Sequence, residues 1–282
     1  MTWTDSMVEN LDSQQVADHD QTLSVRLRPM RDSAGSGSIR GEDSYAGGVS
    51  AQVLIVEDDQ MLADVLASYL TRAGHRVTLA RDGSEAVTVW QRTVPDVVLL
   101  DVMLPTLSGL EVLRRRRAAG DRAAVIIISA RGDEPDRLVG LEVGADDYVV
   151  KPLSPREIVL RTEALLRRAE QLTGSRLRDR AIVLGDTEID LAARTASKRG
   201  EPLGLTSREF DLLAFLAGHP GETFSKSALL NRVWGWDFGD NSTVTVHVRR
   251  LRQKIEADAS DPRLVLTVGR EGYRAAREDE LA

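Results

Sequence analysis

Four acidic residues and one lysine follow separate apolar runs in the first half of the chain. Glu57, Asp58 and Asp59 come after VLIV, Asp101 comes after VVLL, and Lys151 comes after DYVV. Grouped carboxylates repel one another and resist ionisation unless a cation lies among them. Mg²⁺ prefers such oxygen ligands, and a lysine beside it would help to neutralise a transferring phosphoryl group. The pattern therefore indicates phosphoryl chemistry, with Asp101 as the nucleophile.

A second group of residues that could bind a ligand lies near the C-terminus, in NSTVTVHVRRLRQKIEAD (241–258). Its apolar residues recur at helical spacing and predict a buried stripe: Val244, Val248, Leu251 and Ile255. Four cations and no acid occur between His247 and Lys254, which is typical of a helix that contacts DNA phosphates. The alternative is an amphipathic helix whose polar face contacts only solvent.

We expect the DNA-facing residues of this helix to be Ser242, Thr243, Val246, His247, Arg249, Arg250, Arg252 and Lys254. An outward valine suits contact with a thymine methyl group in the major groove. Arg250 is predicted to read a base edge and Arg252 to contact a phosphate. His247 has no second histidine or acid nearby at ligand spacing, so a polar or phosphate contact is favoured over metal binding.

The elements that must position the acidic cluster alternate between short β-branched runs and amphipathic stretches over residues 51–170. Five such β-then-α units predict a doubly wound, five-stranded parallel sheet with helices on both faces. Ligands of open α/β sheets bind beyond the carboxyl ends of the strands. The acids after strands one and three and the lysine after strand five should therefore meet at one edge. Individually, each signal is also typical of a solvated loop, a helix cap or a turn.

The elements that must present the cationic helix occupy residues 180–277. An alternating stretch with a turn near 198–200 predicts a small antiparallel sheet. Thr206 and Glu209 form a capping-box pattern before the first of three helices, and Ser225 opens the second. A glycine-containing hairpin with Arg270 at its tip closes the segment. Sheet, three helices and hairpin predict an α+β winged helix-turn-helix domain.

Three remaining segments complete the predicted organisation. Residues 1–50 are rich in Ser, Asp, Gln and Gly and predict a disordered extension; Met7 and Met30 leave internal translation starts as an alternative. Residues 171–179 predict a linker, and residues 278–282 an acidic tail.

Charge and composition limit the function classes. The 282 residues carry a net charge of −7, whereas residues 180–277, with 15 basic and 13 acidic residues, are net positive. The absence of cysteine excludes disulfides, thiolate metal sites and cysteine nucleophiles. An acidic start without an apolar core, and apolar runs far shorter than the roughly 18 residues that span a bilayer, favour a cytoplasmic protein without a membrane partner.

Residues 51–170 resemble the receiver domain of two-component response regulators, which has a flavodoxin-like fold. VLIVEDD, LLDVMLP, IIISAR and GADDYVVKP stand in the family's order and spacing. With the winged helix-turn-helix after them, the chain is similar to the OmpR/PhoB-type transcription regulators over all but its first 50 residues.

The resemblance implies roles for the acidic cluster. Asp101 would accept a phosphoryl group from a sensor histidine kinase, acting as a phosphoacceptor with Mg²⁺-assisted self-phosphorylation and dephosphorylation rather than as an enzyme. Glu57, Asp58, Asp101 and the backbone carbonyl of Met103 would bind Mg²⁺. Asp59 falls one position beyond the metal carboxylates and is interpreted as a helix N-cap.

The resemblance also implies a switch and partners. Ser129 matches the hydroxyl that binds the phosphoryl group, and Tyr148 matches the family's rotating aromatic. Phosphorylation would promote a homodimer in which Arg137 pairs with Glu157, and Asp147 with Arg161, across a two-fold axis. The dimer would bind double-stranded promoter DNA, with Arg270 reaching the minor groove or its phosphates, and would contact RNA polymerase.

Two other functions remain open. A Mg²⁺-dependent phosphohydrolase could use Asp101 as its nucleophile, although such enzymes usually carry a second acid where this chain has Met103. A regulator that binds DNA without phosphorylation is the other alternative.

Overall fold

The computed structural model describes residues 50–174, 181–236 and 240–281. The predicted N-terminal extension, apart from Ser50, lies outside the described residues, as do residues 175–179 of the predicted linker. Residues 171–174 differ from the prediction because they belong to the last helix of the first domain, which ends at Gly174. Between Pro155 and Gly174 the helix contains no further proline or glycine, so the helical hydrogen bonding continues to Gly174.

The first domain is the predicted five-stranded parallel sheet with helices on both faces. Its strands stand in the order β2-β1-β3-β4-β5. They are β1 (Gln52–Val56), β2 (Arg76–Ala80), β3 (Val97–Asp101), β4 (Ala124–Ser129) and β5 (Asp147–Val150). The helices are α1 (Gln60–Arg72), α2 (Gly83–Thr93), α3 (Gly109–Ala118), α4 (Glu134–Val143) and α5 (Pro155–Gly174).

Alternate residues of the strands divide the core into two apolar layers. Leu54 and Val56 of β1 pack in one layer, whereas Val53 and Ile55 pack in the other. Every residue of β3 and β4 is buried, because a parallel sheet covered on both faces needs continuous apolar strands. This burial holds the carboxyl ends of β1, β3 and β5 in fixed positions along one edge.

The second domain has the predicted order of sheet, three helices and hairpin. Its antiparallel sheet comprises β6 (Ile182–Leu184), β7 (Thr187–Asp190), β8 (Thr195–Lys198) and β9 (Glu201–Pro202). The helices are α6 (Ser207–Ala217), α7 (Lys226–Leu229), which continues as a π-helical turn (Leu230–Trp234), and α8 (Ser242–Ile255). The hairpin pairs β10 (Val265–Val268) with β11 (Gly272–Ala275), and a 3₁₀ turn (Glu278–Glu280) follows.

Local signals in the sequence account for the starts of α6 and α7. The Thr206–Glu209 capping box is confirmed, with both reciprocal hydrogen bonds present. Ser225 caps α7 by accepting from the Ala228 amide. The predicted acidic tail is anchored, because Glu280 binds both terminal nitrogens of Arg274, at 2.6 and 2.7 Å. The stripe of Val244, Val248, Leu251 and Ile255 is buried as predicted.

Candidate functional site

The acidic cluster gathers at the carboxyl edge of the first sheet. Oxygens of Glu57, Asp58 and Asp101 all lie within 4.8 Å of one another. Glu57 and Asp101 are only 1% and 4% exposed, while Asp58 is open to solvent. Two buried carboxylates and one accessible carboxylate therefore form an acidic site that is open to solvent on the side of Asp58.

Lys151 extends from the end of β5 into the same site. Its Nζ lies 2.5 Å from Asp101 Oδ2 and 2.8 Å from Glu57 Oε2. Burial alone would lower the pKa of Lys151, but hydrogen bonds to Asp101 and Glu57 outweigh burial, so that the pKa is raised. The ammonium group therefore stays charged and offsets part of the negative charge of the cluster.

The charge of Glu57 is only partly compensated. Burial raises the pKa of this carboxyl to about 7, Lys151 acts in the opposite direction, and nearby Asp101 adds to the increase. Glu57 Oε2 is buried and accepts no hydrogen bond, although it lies within ion-pair distance of Lys151. A buried carboxylate oxygen with spare acceptor capacity, next to two further carboxylates, fits a hard divalent cation such as Mg²⁺.

Met103 lies beside the acidic site, whereas Asp59 caps a helix. The Met103 amide donates to Asp101 Oδ1 at 2.8 Å, which places the Met103 backbone beside the site. Metal binding by the Met103 carbonyl stays a prediction. Asp59 is the N-cap of α1, where its Oδ1 accepts from the amides of Met61 and Leu62. Its side chain therefore has the capping role predicted from its position.

The two predicted switch residues meet on one loop. Ser129, at the end of β4, is fully buried, and its Oγ accepts from the Arg131 amide at 3.1 Å. The Tyr148 hydroxyl donates to the Arg131 carbonyl at 2.8 Å, and burial raises the pKa of this phenol. Both side chains therefore form hydrogen bonds with the backbone of Arg131 in the β4–α4 loop.

The cationic helix α8 differs from the sequence prediction in what it exposes. Of the predicted DNA-facing residues, Arg249 and Arg270 are exposed, whereas Ser242, Arg252 and Lys254 are half-buried and Thr243, Val246, His247 and Arg250 are buried. The sequence predicted an outward orientation for Val246 and Arg250. Both are covered because this side of α8 packs against α4 of the first domain, a contact between distant parts of the chain that helical periodicity does not reveal.

The flanking cations of α8 bind groups within the second domain. Arg252 donates from Nε to the Val265 carbonyl and from Nη2 to Thr267 Oγ1, at 2.9 and 2.8 Å, which ties the helix to the hairpin. Lys254 Nζ donates to the Gly204 carbonyl and to Glu209, at 2.6 and 2.5 Å.

His247 is completely buried. Its Nδ1 donates to the Thr243 carbonyl at 2.8 Å, and the ring stacks edge-on against Trp234, with centroids 5.0 Å apart. Burial, assisted by the positive charge of Arg250, lowers the pKa of His247 to about 4. The imidazole is therefore neutral at physiological pH.

Asp146 was not singled out from the sequence, yet it connects the two domains. Its carboxylate is fully buried and accepts from the Val125 amide, from Arg117 Nη2 and from the Arg208 amide, at 2.9, 3.2 and 3.3 Å. Its carbonyl accepts from Trp234 Nε1 at 3.2 Å. The sequence signal for this role is the pair Asp146–Asp147 before an apolar strand. A carboxylate buried at such a position requires hydrogen-bond or ionic partners.

The predicted dimer residues have partners within the chain. Arg161 contacts Asp147 and Glu157, at 2.8 and 2.6 Å, and its guanidinium lies over the Trp236 ring, 4.6 Å from the centroid. Arg137 pairs with Asp240 of the second domain. The structure therefore combines three of the four predicted residues in one ionic cluster and joins Arg137 to a residue outside the prediction.

Comparisons with known proteins identify the families of the two domains. Residues 53–163 match the family described as response regulator receiver domain, and residues 200–275 match the transcriptional regulatory protein, C terminal, family. The chain is 43% identical over 223 residues to the sensory transduction protein RegX3 of Mycolicibacterium smegmatis, covering 79% of this chain and 97% of that protein. It is 42% identical over 225 residues to the DNA-binding response regulator MtrA of the same organism, covering 79% and 96%.

A solved structure shows the same two-domain organisation. A cysteine-to-serine mutant of RitR superposes with a TM-score of 0.68 at 25% identity, covering 80% of this chain and 99% of the RitR chain.

Among the described residues, no helix is long and apolar enough to cross a bilayer.

Proposed function

The chain belongs to the two-component response regulators that join a receiver domain to an OmpR/PhoB-type DNA-binding domain, and from this premise we propose that Asp101 is its phosphoacceptor. The observation that carries the proposal is the position of Asp101 at the end of β3, with Lys151 Nζ 2.5 Å from its carboxylate and Glu57 and Asp58 beside it. The phosphoryl donor is a phosphohistidine of a sensor histidine kinase.

The residues of the site divide the work of phosphoryl transfer. A carboxylate oxygen of Asp101 forms the bond to phosphorus while the P–N bond of the phosphohistidine breaks and its electron pair stays on the imidazole. Lys151 places a positive charge where phosphoryl oxygens would lie, which lowers the barrier by electrostatic stabilisation. Glu57, Asp58, Asp101 and the Met103 carbonyl would hold Mg²⁺, which supplies further positive charge to the phosphoryl oxygens when bound.

The same site argues against turnover of external phosphate esters. Hydrolytic enzymes of this kind use an acid two residues after the nucleophile to protonate the leaving group, and Met103, a half-exposed thioether, stands there. We therefore propose a protein that phosphorylates and dephosphorylates itself. Steady turnover of a phosphate ester by the wild-type chain would favour the phosphohydrolase instead.

Labelling by acetyl phosphate tests the phosphoacceptor directly. Asp101→Ala should abolish the alkali-labile, hydroxylamine-sensitive labelling that an aspartyl phosphate gives in the presence of Mg²⁺. Asp59→Asn is the matched control, because this acid caps α1 outside the cluster, and it should keep the wild-type labelling. Persistent labelling of the Asp101→Ala chain would contradict the assignment.

The hydroxyl of Ser129 and the ring of Tyr148 are proposed to report phosphorylation to the α4–β5–α5 face. A dianion on Asp101 would attract the Ser129 hydroxyl away from the Arg131 amide, and Tyr148 would then lose its acceptor on the same loop. Homodimerisation through Arg137, Asp147, Glu157 and Arg161 is the proposed result. Asp147 and Arg161 are buried and already paired within the chain, so the dimer would have to exchange these contacts for contacts across the two-fold axis.

DNA contacts are proposed for the α8 residues and for Arg270 on the hairpin, with RNA polymerase as a further partner. In the activated form, Arg250→Ala should lose sequence preference, whereas Arg252→Ala should weaken binding to all duplexes similarly. Footprints on genomic DNA, with and without a phosphodonor, test the phosphorylation dependence. Direct repeats about one helical turn apart would fit a dimer bound in tandem.

A further inference from the structure

The loop between β3 and α3 makes a tight turn that is centred on Thr106. The Leu107 amide donates to the Pro105 carbonyl at 2.7 Å, and the backbone φ of Thr106 is +65°. A hydrogen bond that closes around one residue of positive φ defines the rarer, strained kind of γ-turn. A β-branched residue seldom adopts such a φ. The loop keeps this conformation only because surrounding contacts hold it.

The side chain of Thr106 supplies such contacts at the N-terminus of α2. Its hydroxyl donates to Asp82 Oδ1 at 3.0 Å and accepts from the amide and the hydroxyl of Ser84, at 3.2 and 3.0 Å. Asp82 is itself the N-cap of α2, where Oδ1 also accepts from the amides of Ser84 and Glu85, at 2.8 and 3.0 Å. One hydroxyl therefore joins the strained turn to the capping network of a helix.

The backbones of the loop and of α2 are also in contact. The amide of Gly83, the first residue of α2, donates to the Pro105 carbonyl at 3.2 Å. A Cβ added to Gly83 would lie 1.9 Å from the Leu107 carbonyl oxygen, so α2 approaches the loop more closely than a residue with a side chain would allow. Helix α2 therefore fixes the middle of the loop, while β3 and α3 fix its two ends.

The same loop carries the Met103 carbonyl, which is one of the proposed Mg²⁺ ligands. The Met103 amide donates to Asp101 Oδ1 at 2.8 Å, and the Gly109 amide donates to the Val102 carbonyl at 3.0 Å. Neither of these two bonds involves the Met103 carbonyl, whose direction depends instead on the peptide that leads into the γ-turn. Because Mg²⁺ demands near-ideal octahedral geometry, a small rotation of this peptide would weaken metal binding.

We propose that Thr106 is a positioning residue for the metal site, because its hydroxyl joins the γ-turn to the N-terminus of α2 and thereby fixes the direction of the Met103 carbonyl. Mg²⁺ affinity then depends on a side chain that is not itself a ligand. The inference rests on the proposed function, since it specifies how the fold holds one ligand of the Asp101 site.

Replacement of Thr106 by valine tests the inference, because valine keeps the branched shape and the strained backbone but removes the hydroxyl. Thr106→Gly removes the hydroxyl without strain, since glycine adopts a positive φ readily, and it serves as a second variant if valine prevents folding. Thr106→Ser restores the hydroxyl. Thr93→Val is the matched control, because the Thr93 hydroxyl donates to the Val89 carbonyl at 2.9 Å at the opposite end of α2.

Calorimetric titration of the full chain with Mg²⁺ measures the affinity. We expect both hydroxyl-free variants of Thr106 to bind Mg²⁺ about tenfold more weakly than the wild-type chain, because partners that orient a metal ligand contribute at about this level. Thr106→Ser and Thr93→Val should keep the wild-type affinity. An unchanged affinity of Thr106→Val and Thr106→Gly, or an equal loss in Thr93→Val, would overturn the inference.

Labelling by acetyl phosphate distinguishes a misplaced metal ligand from general damage to the site. In Thr106→Val, the Mg²⁺ concentration for half-maximal labelling should rise about tenfold, while the rate at saturating Mg²⁺ should stay within about twofold of wild type. Beryllofluoride, a phosphoryl mimic, should show the same increased Mg²⁺ requirement. A lower maximal rate with an unchanged Mg²⁺ requirement would overturn the inference alone, whereas a wild-type chain that neither binds Mg²⁺ nor becomes labelled would overturn the proposed function as well.

Discussion

At the scale of single residues, Lys151 has two opposing effects on the acidic site. Its ammonium group stabilises the carboxylates of Glu57 and Asp101, with Nζ 2.8 and 2.5 Å from their oxygens. The same positive charge repels a divalent cation that binds those carboxylates. We therefore expect Lys151 to favour phosphoryl transfer and to weaken metal binding.

Replacement of Lys151 by methionine should separate these effects. Because the ammonium group repels a divalent cation that binds the same carboxylates, its loss should tighten Mg²⁺ binding by about tenfold or more, which is about 1.4 kcal/mol or more. Labelling by acetyl phosphate should fall at the same time. Calorimetric titration with Mg²⁺ at pH 8 measures the affinity, and Asp59→Asn serves as the control with wild-type affinity. Weaker Mg²⁺ binding by Lys151→Met would contradict the geometry.

His247 should make stability depend on pH. The folded chain holds the imidazole neutral down to a pKa of about 4, whereas the unfolded chain protonates it near 6.5. The unfolded state therefore binds more protons between these values, and the free energy of unfolding should fall by about 1.4 kcal/mol for each pH unit below 6.5, until pH 4.

The groups that face His247 determine how it titrates. Arg250 opposes protonation, whereas Asp146, Glu209 and the Thr243 carbonyl favour it. Urea denaturation of wild type and His247→Asn from pH 7.5 to 4.5 isolates its contribution, because asparagine keeps a donor near the position of Nδ1. Parallel pH profiles for the two chains would refute the prediction.

At the scale of elements, close backbone contacts fix the loop that carries Asp101. A Cβ added to Gly109, the first residue of α3, would lie 1.9 Å from the Asp101 carbonyl oxygen. Helix α3 can therefore start against the end of β3 only if this residue lacks a side chain.

Gly109→Ala should lower the free energy of unfolding by about 2 kcal/mol or more, because the overlap involves backbone atoms that cannot rotate away. Labelling of Asp101 should also decrease as the end of β3 shifts. Gly204→Ala is the matched control, since its Cβ would meet no atom within 4 Å. Chemical denaturation measures both variants, and equal stabilities would be inconsistent with the described contact.

The N-terminus of α6 is stabilised by a residue of the receiver domain. The Arg208 amide, in the first turn of α6, donates to the Asp146 carboxylate of the receiver at 3.3 Å. A helix N-terminus favours negative charge because its first amides lack intrahelical acceptors. A receiver residue thus serves as a partner for a helix of the DNA-binding domain, in addition to the local capping box.

At the scale of the whole molecule, the contact between α4 and α8 should couple the state of Asp101 to DNA binding, and DNA binding to the state of Asp101. If beryllofluoride at Asp101 raises DNA affinity by a given factor, DNA must raise beryllofluoride affinity by the same factor, because the coupling free energy is reciprocal. Titrations of each ligand with and without the other measure both factors. Glu142→Arg removes the carboxylate that lies 2.6 Å from Arg249 Nη1 and should reduce both factors, whereas Glu134→Arg, at an exposed position in the first turn of α4, should leave them unchanged. A factor of one for both ligands would contradict the coupling.

Much of the fold and of the acidic site follows from the sequence alone. Buried β-branched runs determine a parallel sheet, and strand ends in such a sheet meet at one edge, so Asp101, Glu57 and Lys151 could be assigned together. The capping box at Thr206 and the apolar stripe of α8 are equally local, because each depends on spacing within one helix.

Only the tertiary structure decided which side of α8 meets the receiver and which partners Arg250, Arg137 and Asp146 have. These contacts join residues about a hundred positions apart, and each uses a carbonyl, a carboxylate or an aromatic ring that has no periodic signal of its own. A cationic helix has the same pattern whether it faces phosphates or the carbonyl end of another helix, since both offer oxygen acceptors and negative charge. The sequence therefore determined the chemistry of that surface, and packing determined its occupant.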